Sequence, residues 1–487
     1  MFKKTKIVAT ISDMRCDVDF IRSLYNEGIN VVRMNSAHMT EEGFIEVINN
    51  VRAVSKTIGL MMDTKGPEIR TTATESGEKI VVKTGDKLKV IGDINVKSTP
   101  EQIAVSYPSI VKDVPVGNLL LIDDGETALK VIEKGNDYLL VEVQNNGTIG
   151  SRKSVNIPGV SVNLPSITEK DKKCIEIAIK YGADFIAHSF VRHKGDVLDV
   201  QKILDAHNSD IKIIAKIENQ EGVDNIDEIY EHAYGVMVAR GDLGNEVPQE
   251  NIPGIQRLLI RKAIEYKKPV IVATQMLHTM IENPRPTRAE VADIANAVYY
   301  GTDAVMLSGE TAYGKYPVEA VRTMAQVARA AEISKLEENI IPVPFKDSEY
   351  DNTSFLAKQA VKSVNQLGVK AIITDSVTGR TARTLAAFRS KNPVFAICNK
   401  EEVARYLSVC YGVDARFQED TGYTTNKHKQ YFLKALQNLT ESKFVSKEDT
   451  VAYLSGSFTE GGGTSFLEIN NVGKVLDAGD KYDVPVE

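Results

Sequence analysis

The stretch IIAKIENQEG, residues 213–222, ends an apolar run by placing Lys216 and Glu218 two residues apart. Alternate side chains of a strand share a face, so this cation and anion point into one volume while Ile217 points back. Other apolar runs close in the same way. Arg33 and Asn35 end NVVRMN, and Asp63 ends LMMD, with Thr64, Lys65, Glu68 and Arg70 following. Ser189 and Arg192 follow DFIAH, Asp242 lies in ARGDLG, and Thr274 closes KPVIVAT. Any one of these charges alone reads as an ordinary solvated residue; together they describe a chemistry. Glu218 and Asp242 are hard oxygen ligands, and two carboxylates with substrate oxygens and water suit Mg²⁺. Arg33, Lys216 and Arg70 supply positive charge for a phosphoryl group in transit, where catalysis rests on positioning and electrostatic stabilisation. No GxxxxGK[ST] loop occurs, and the seven histidines form no pair at i, i+4 or HExxH spacing.

The elements that must hold these residues follow one rhythm: an amphipathic helix, a glycine, then an apolar strand with a polar end. It recurs in VDFIRSLYNEGINVVRMN, KKCIEIAIKYGADFIAHSF and ANAVYYGTDAVMLSGE, with Gly28, Gly182 and Gly301 where a left-handed cap ends the helix. Thr287 and Glu290 form a capping box. Eight strands are expected, at 6–12, 30–35, 60–63, 184–189, 211–217, 235–239, 268–274 and 303–308. Nearly continuous apolar strands separated by helices predict an α/β fold, a (β/α)8 TIM barrel whose site lies at the C-terminal strand ends. Short β-type runs with Gly, Asp and Asn turns interrupt it over 71–163, predicting an inserted all-β lid domain. The barrel thus spans 1–70 and 164–337. A polar, proline-containing stretch near 338 opens a C-terminal α/β domain, 338–487.

Composition sets outer limits. The 487 residues carry a net charge of -7, which argues against a nucleic-acid surface. No run of 18 apolar residues occurs, so no transmembrane helix is expected, and MFKKTKIVAT holds no cleavable apolar segment. The scattered Cys16, Cys174, Cys398 and Cys410 read as reduced thiols, consistent with a cytoplasmic protein.

The sequence resembles the pyruvate kinase family over its whole length. IIAKIENQEGV is similar to that family's active-site motif, and MDTKGPEIRT, VARGDLG, VATQML and PTRAEVADIANAVYYGTDAVMLSGETAYGKYP match as well. The resemblance implies transfer of phosphoryl from phosphoenolpyruvate to ADP, giving pyruvate and ATP in the last step of glycolysis. It gives Lys216 the neutralisation of transition-state charge, Arg33 a phosphoryl contact, and Glu218 and Asp242 the Mg²⁺ (or Mn²⁺). The backbone at Gly241 and Asp242, with Thr274, positions the substrate carboxylate, and Thr274 lies near the path of proton delivery. Asn35, His38, Arg70 and, from the lid, Lys153 contact the nucleotide. Asn35, Asp63 and Thr64 bind K⁺, and Glu68 is the residue that accompanies K⁺ dependence. Where the family usually has Arg-x-Asn-Phe-Ser-His, this chain has RMNSAH: Ala37 replaces a hydroxyl ligand of K⁺, and Ser36, one residue away, faces the other side. SDMRCD likewise replaces the family's Gly-Pro-Ala-Ser after the first strand.

The C-terminal domain carries AIITDSVTGRTARTLAAFRS, residues 371–390, in which a strand ends and a helix begins near Thr381. Hydroxyls, a glycine and free N–H groups at a helix N-terminus form an anion site or an ordinary capped turn. The resemblance favours a phosphorylated effector, such as a sugar phosphate, at Thr374, Ser376, Thr378, Gly379, Arg380 and Thr381, with SGSFTEGGGTS (455–465) closing over it. It also implies a homotetramer. Two other classes bear on the same residues. A Mg²⁺-dependent carbon–carbon lyase also holds a pyruvate enolate with two carboxylates, but needs no nucleotide clamp such as Lys153. A non-catalytic metabolite sensor would not need Lys216 and Glu218 together.

Overall fold

The computed structural model describes residues 2–37, 39–335, 342–344, 351–419, 425–456 and 463–480. Its centre is a closed barrel of eight parallel strands: Lys6–Thr10, Val31–Asn35, Gly59–Asp63, Phe185–His188, Lys212–Ile217, Gly235–Ala239, Val270–Ala273 and Ala304–Leu307. They follow chain order around the ring, and the last pairs with the first. All eight expected strands are present: six have slightly narrower bounds, Gly59–Asp63 begins one residue earlier than expected, and Gly235–Ala239 matches its expected bounds.

Strand alternation divides their side chains between two cores. Ile7, Val32, Met62, Ile213 and Val238 face outward into the layer shared with the helices. Val8, Val31, Met61, Ile214 and Met237 face inward. Two residues beyond such inward positions come Thr10, Arg33, Asp63 and Lys216, so the pleat that fills the barrel also aims these polar groups at its mouth.

Helix ends follow local chemistry. Asp17 caps Val18–Glu27 by accepting from Phe20 N, and Gly28 ends it at φ 114°. The Thr287–Glu290 capping box opens Arg288–Tyr300, and Gly301 closes it at φ 92°. A second box, Thr168 with Asp171, opens Glu169–Lys180.

Between the third and fourth barrel strands the chain forms a six-stranded sheet and a two-stranded ribbon with a separate apolar core that includes Leu88, Ile103, Leu129 and Val141. One short helix, Ile110–Asp113, sits among these strands and was not anticipated. Arg192 ties the returning segment to the barrel through the carbonyls of Val162 and Leu164, at 2.8 and 3.0 Å.

The C-terminal sheet has five strands in the order Val413–Phe417, Val394–Cys398, Ala371–Ser376, Thr450–Gly456 and Thr464–Asn471, the last antiparallel. The two outer strands, and the helix Val472–Asp480, had no clear sequence signal. The core inside the barrel continues into this domain through residues such as Leu385, Leu407 and Leu454. Buried ion pairs fasten the junction. Arg389 grips both oxygens of Asp303 at 2.8 Å, and Arg405 reaches Asp184 at 2.6 Å. Asp184 and Asp303 immediately precede the N-terminal ends of their strands, so this domain stops one end of the barrel and leaves the other open.

Candidate active site

At the open end Asp63 is the pivot. One of its carboxylate oxygens accepts from Arg33 Nε at 2.5 Å, and the other from Lys216 Nζ at 3.0 Å. Burial alone would raise Asp63; the two cations outweigh it and hold the carboxyl below its ordinary range. Arg33 also donates to Thr10 Oγ1 at 3.1 Å.

Lys216 Nζ has two further neighbours, Ser189 Oγ at 2.7 Å and Glu218 Oε1 at 3.0 Å. Burial works against its charge, but Asp63 and Glu218 prevail and raise its pKa, so the ammonium stays protonated. Glu218 is fully buried and shifts the other way from Asp63. Desolvation raises its pKa, Lys216 opposes this, and Asp242 adds to it. Its Oε2 accepts from Phe190 N at 2.7 Å. Its Oε1 lies within ion-pair distance of Lys216 but outside hydrogen-bonding geometry, and no other group among the described residues satisfies it. A buried carboxylate oxygen left in this state suits a cation.

Two adjoining cavities share Glu68, Arg70, Phe190 and Asp242. The larger, about 850 Å³, is lined by Arg33, Asn35, Asp63, Thr64, Lys216 and Glu218 among others. The other, about 570 Å³, runs under the inserted β domain past Asp123, Lys153 and Glu246. Among the described residues no group of three His, Cys, Asp or Glu side chains converges as a metal cluster.

Arg70 and Lys153 are engaged by carboxylates. Glu68 binds Arg70 through Nε at 2.7 Å and Nη2 at 2.6 Å. Asp123 holds Lys153 at 2.7 Å. His38 lies outside the described residues. Asn156, from the inserted domain, donates to Glu246 on the barrel at 2.8 Å, and burial lifts Glu246 to about 6.

Asn35, Asp63 and Thr64 all line the larger cavity. Asn35 Oδ1 accepts from Ala37 N at 3.0 Å, and Thr64 O from Ser189 Oγ at 2.6 Å. Ala37 lines the cavity too, whereas Ser36 is fully buried, with its hydroxyl beside the Cys174 thiol, and does not line it. Ser36 therefore brings no hydroxyl to the cavity beside Ala37.

Gly241 N donates to Thr274 Oγ1 at 2.7 Å, which joins the ends of the sixth and seventh strands beside Asp242. Thr274 and Gly241 stand next to the cavities rather than among their lining residues. Ser189 is the group that sequence reasoning left without a role: its hydroxyl ties Lys216 to Thr64 O. The signal was present, because Ser189 continues the inward parity of Ala187.

In the C-terminal domain Gly379, at φ 80°, donates its N–H to Ser376 Oγ at 3.0 Å ahead of the helix Arg380–Ala387. Thr381 Oγ1 meets Thr464 Oγ1 at 2.7 Å. Thr374 is buried and Thr378 exposed. Residues 457–462 of the second loop lie outside the described residues.

Two family models match the chain: "Pyruvate kinase, barrel domain" over residues 2–321 and "Pyruvate kinase, alpha/beta domain" over 354–470. A pyruvate kinase of Borreliella burgdorferi is 49% identical over 477 residues, which is 96% of this chain and 98% of that protein. One from Geobacillus stearothermophilus is 44% identical, spanning 98% of this chain and 82% of the relative. The crystal structure of a pyruvate kinase from Cryptosporidium parvum superposes with a TM-score of 0.90 at 37% identity, covering 96% of each chain.

Proposed function

The chain belongs to the pyruvate kinase family, the glycolytic enzymes that transfer phosphoryl from phosphoenolpyruvate to ADP, and on that premise we propose how its own residues carry the reaction. The observation that supports the assignment most strongly is Lys216 Nζ held among Asp63, Ser189 and Glu218 at the cavity with Arg33. Asp63 spans Arg33 and Lys216 and so fixes the separation of the two positive charges. Their side chains are set before substrate arrives, so charge developing on the phosphoryl and enolate oxygens meets cations that need not reorganise. Thr274, with the backbone at Gly241 and Asp242, orients the substrate carboxylate and lies beside the carbon that accepts a proton.

Glu218 and Asp242 fit a divalent metal, since Glu218 Oε1 is buried without a hydrogen bond and Asp242 shares the cavity. When bound, Mg²⁺ or Mn²⁺ supplies Lewis-acid stabilisation of substrate oxygens. Arg70 and Lys153 are the nucleotide contacts, with Asn35 and His38 on the same side. To meet phosphates they exchange Glu68 and Asp123 for the ligand, which closure of the inserted domain would favour by excluding water. K⁺ is assigned to Asn35, Asp63 and Thr64, with one oxygen fewer at Ala37.

The same reading divides the chain into a barrel (1–70 and 164–337), a lid (71–163) and a C-terminal domain (338–487). It makes the protein a cytoplasmic homotetramer. Among the described residues no helix is long and apolar enough to cross a membrane, and all four cysteines are buried and free. A phosphorylated effector is assigned to the 374–381 loop. Thr378→Glu should abolish activation by a sugar phosphate while basal kcat stays within about twofold; a wild type indifferent to every phosphorylated metabolite removes that assignment.

The direct test is a lactate-dehydrogenase-coupled assay. Pyruvate should form only with phosphoenolpyruvate, ADP and a divalent metal together. Formation at an equal rate without ADP contradicts the phosphoryl-transfer reading.

A further inference from the structure

Thr274 and Gln275 stand side by side at φ 71° and 55°. A left-handed backbone is rare for any side chain and a true outlier for a β-branched one, and it persists only where the surroundings over-determine it. Here the surroundings are one guanidinium. Arg240 Nε donates to Ala273 O at 3.2 Å, and Nη2 donates to Thr274 O at 2.6 Å. These two carbonyls belong to the peptide planes on either side of the Thr274 Cα, so fastening both fixes its φ and ψ. The fork is itself anchored: Nη1 donates to both oxygens of Asp293, at 2.8 and 2.7 Å, on the helix Arg288–Tyr300. The Arg240 side chain is 11% exposed, and it lines neither cavity. With the backbone held, Thr274 Oγ1 sits between Gly241 N at 2.7 Å and Ala273 O at 2.6 Å.

We propose that Arg240, anchored by Asp293, is a positioning residue for Thr274: it holds the left-handed backbone and thereby sets the direction of the hydroxyl. The inference rests on the assignment of Thr274 to the substrate. A lysine has one donor centre in place of a planar fork and cannot grip both carbonyls and Asp293 together. Small misplacements of a group in contact with substrate carry large kinetic costs.

The test is a double-mutant cycle read in kcat and in the KM values for phosphoenolpyruvate and ADP. Thr274→Val alone should lower kcat by about tenfold or more. Arg240→Lys should do the same while leaving the KM for ADP within about twofold, and Asp293→Asn, which keeps the fork but weakens its anchor, should give a smaller loss in the same parameter. In the Thr274→Val background, Arg240→Lys should cost less than about twofold further, because it acts through a hydroxyl already removed. Losses that multiply in full, or an Arg240→Lys enzyme within about twofold of wild type, overturn the role of Arg240. A Thr274→Val enzyme with wild-type kcat overturns instead the reading of Thr274 on which the inference rests.

Discussion

Lys216 Nζ and Glu218 Oε1 lie 3.0 Å apart in a site where Glu218 is fully buried, although an isoleucine separates the two in sequence. The pleat puts both on the inner face while Ile217 packs in the outer core. Glu218 Oε2 is thus taken by Phe190 N, while Oε1 faces the ammonium without a hydrogen bond and is the oxygen open to a second cation.

The first prediction follows from that oxygen. Glu218→Gln keeps the shape and the contact with Phe190 N but removes the charge that a divalent metal needs. The Mg²⁺ concentration for half-maximal activity should rise by more than the roughly tenfold that losing an outer partner typically costs. Asp242→Asn should act in the same direction. A Mg²⁺ titration that superposes on wild type for both variants rules out this pair as the metal ligands.

The second concerns the monovalent cation. Asn35 Oδ1, Thr64 O and both oxygens of Asp63 each already accept a hydrogen bond, and Ala37 contributes no oxygen. On the family assignment K⁺ should activate, but these engaged oxygens should make the concentration needed high, and Ala37→Ser should lower it. Rates in K⁺ and in tetramethylammonium at equal ionic strength give the comparison; equal rates eliminate the K⁺ site.

The third is a stability prediction at His188, which follows the fourth barrel strand's inward Ala187 and is fully buried. Burial lowers its pKa from the ordinary 6.5 to about 4; Asp196, Asp171 and Asp199 pull upward, and Lys216 downward. Between those two values the folded state binds fewer protons than the unfolded chain. The stability this provides is complete above pH 6.5 and is lost as pH falls toward 4, up to ~3 kcal/mol. His188→Leu should flatten the fall in thermal midpoint across that window relative to wild type. Parallel curves for the two proteins would remove His188 as the cause.

How far the sequence could be read depends on where the information lies. The barrel was legible because its strands are apolar on both faces and end in charges of one parity, as at Val31–Arg33 and Ile214–Lys216. Val413–Phe417 was not, because VDARF carries two charges in five residues and lies at the sheet edge. Thr464–Asn471 alternates weakly and follows a glycine-rich stretch of sequence, so no local pattern marks it before it pairs with Thr450–Gly456. At the site, residue types revealed the chemistry, but the linkage of Arg33 and Lys216 through Asp63 involves three strands that only barrel closure brings together. Arg240 was less visible still. Its partners include two backbone carbonyls and an aspartate 53 positions away, and no local pattern connects them.

The central claim is that the Lys216 ammonium, fixed by Asp63, stabilises the charge of the phosphoryl group in transit. The most direct measurement is kcat of Lys216→Met in the coupled phosphoenolpyruvate–ADP assay, beside circular dichroism and Mn²⁺ binding. A charge that acts most strongly in the transition state should cost about 10²–10³ or more in kcat when it is removed, with fold and metal binding retained. A folded, metal-binding Lys216→Met enzyme that keeps more than about a tenth of wild-type kcat would contradict the account.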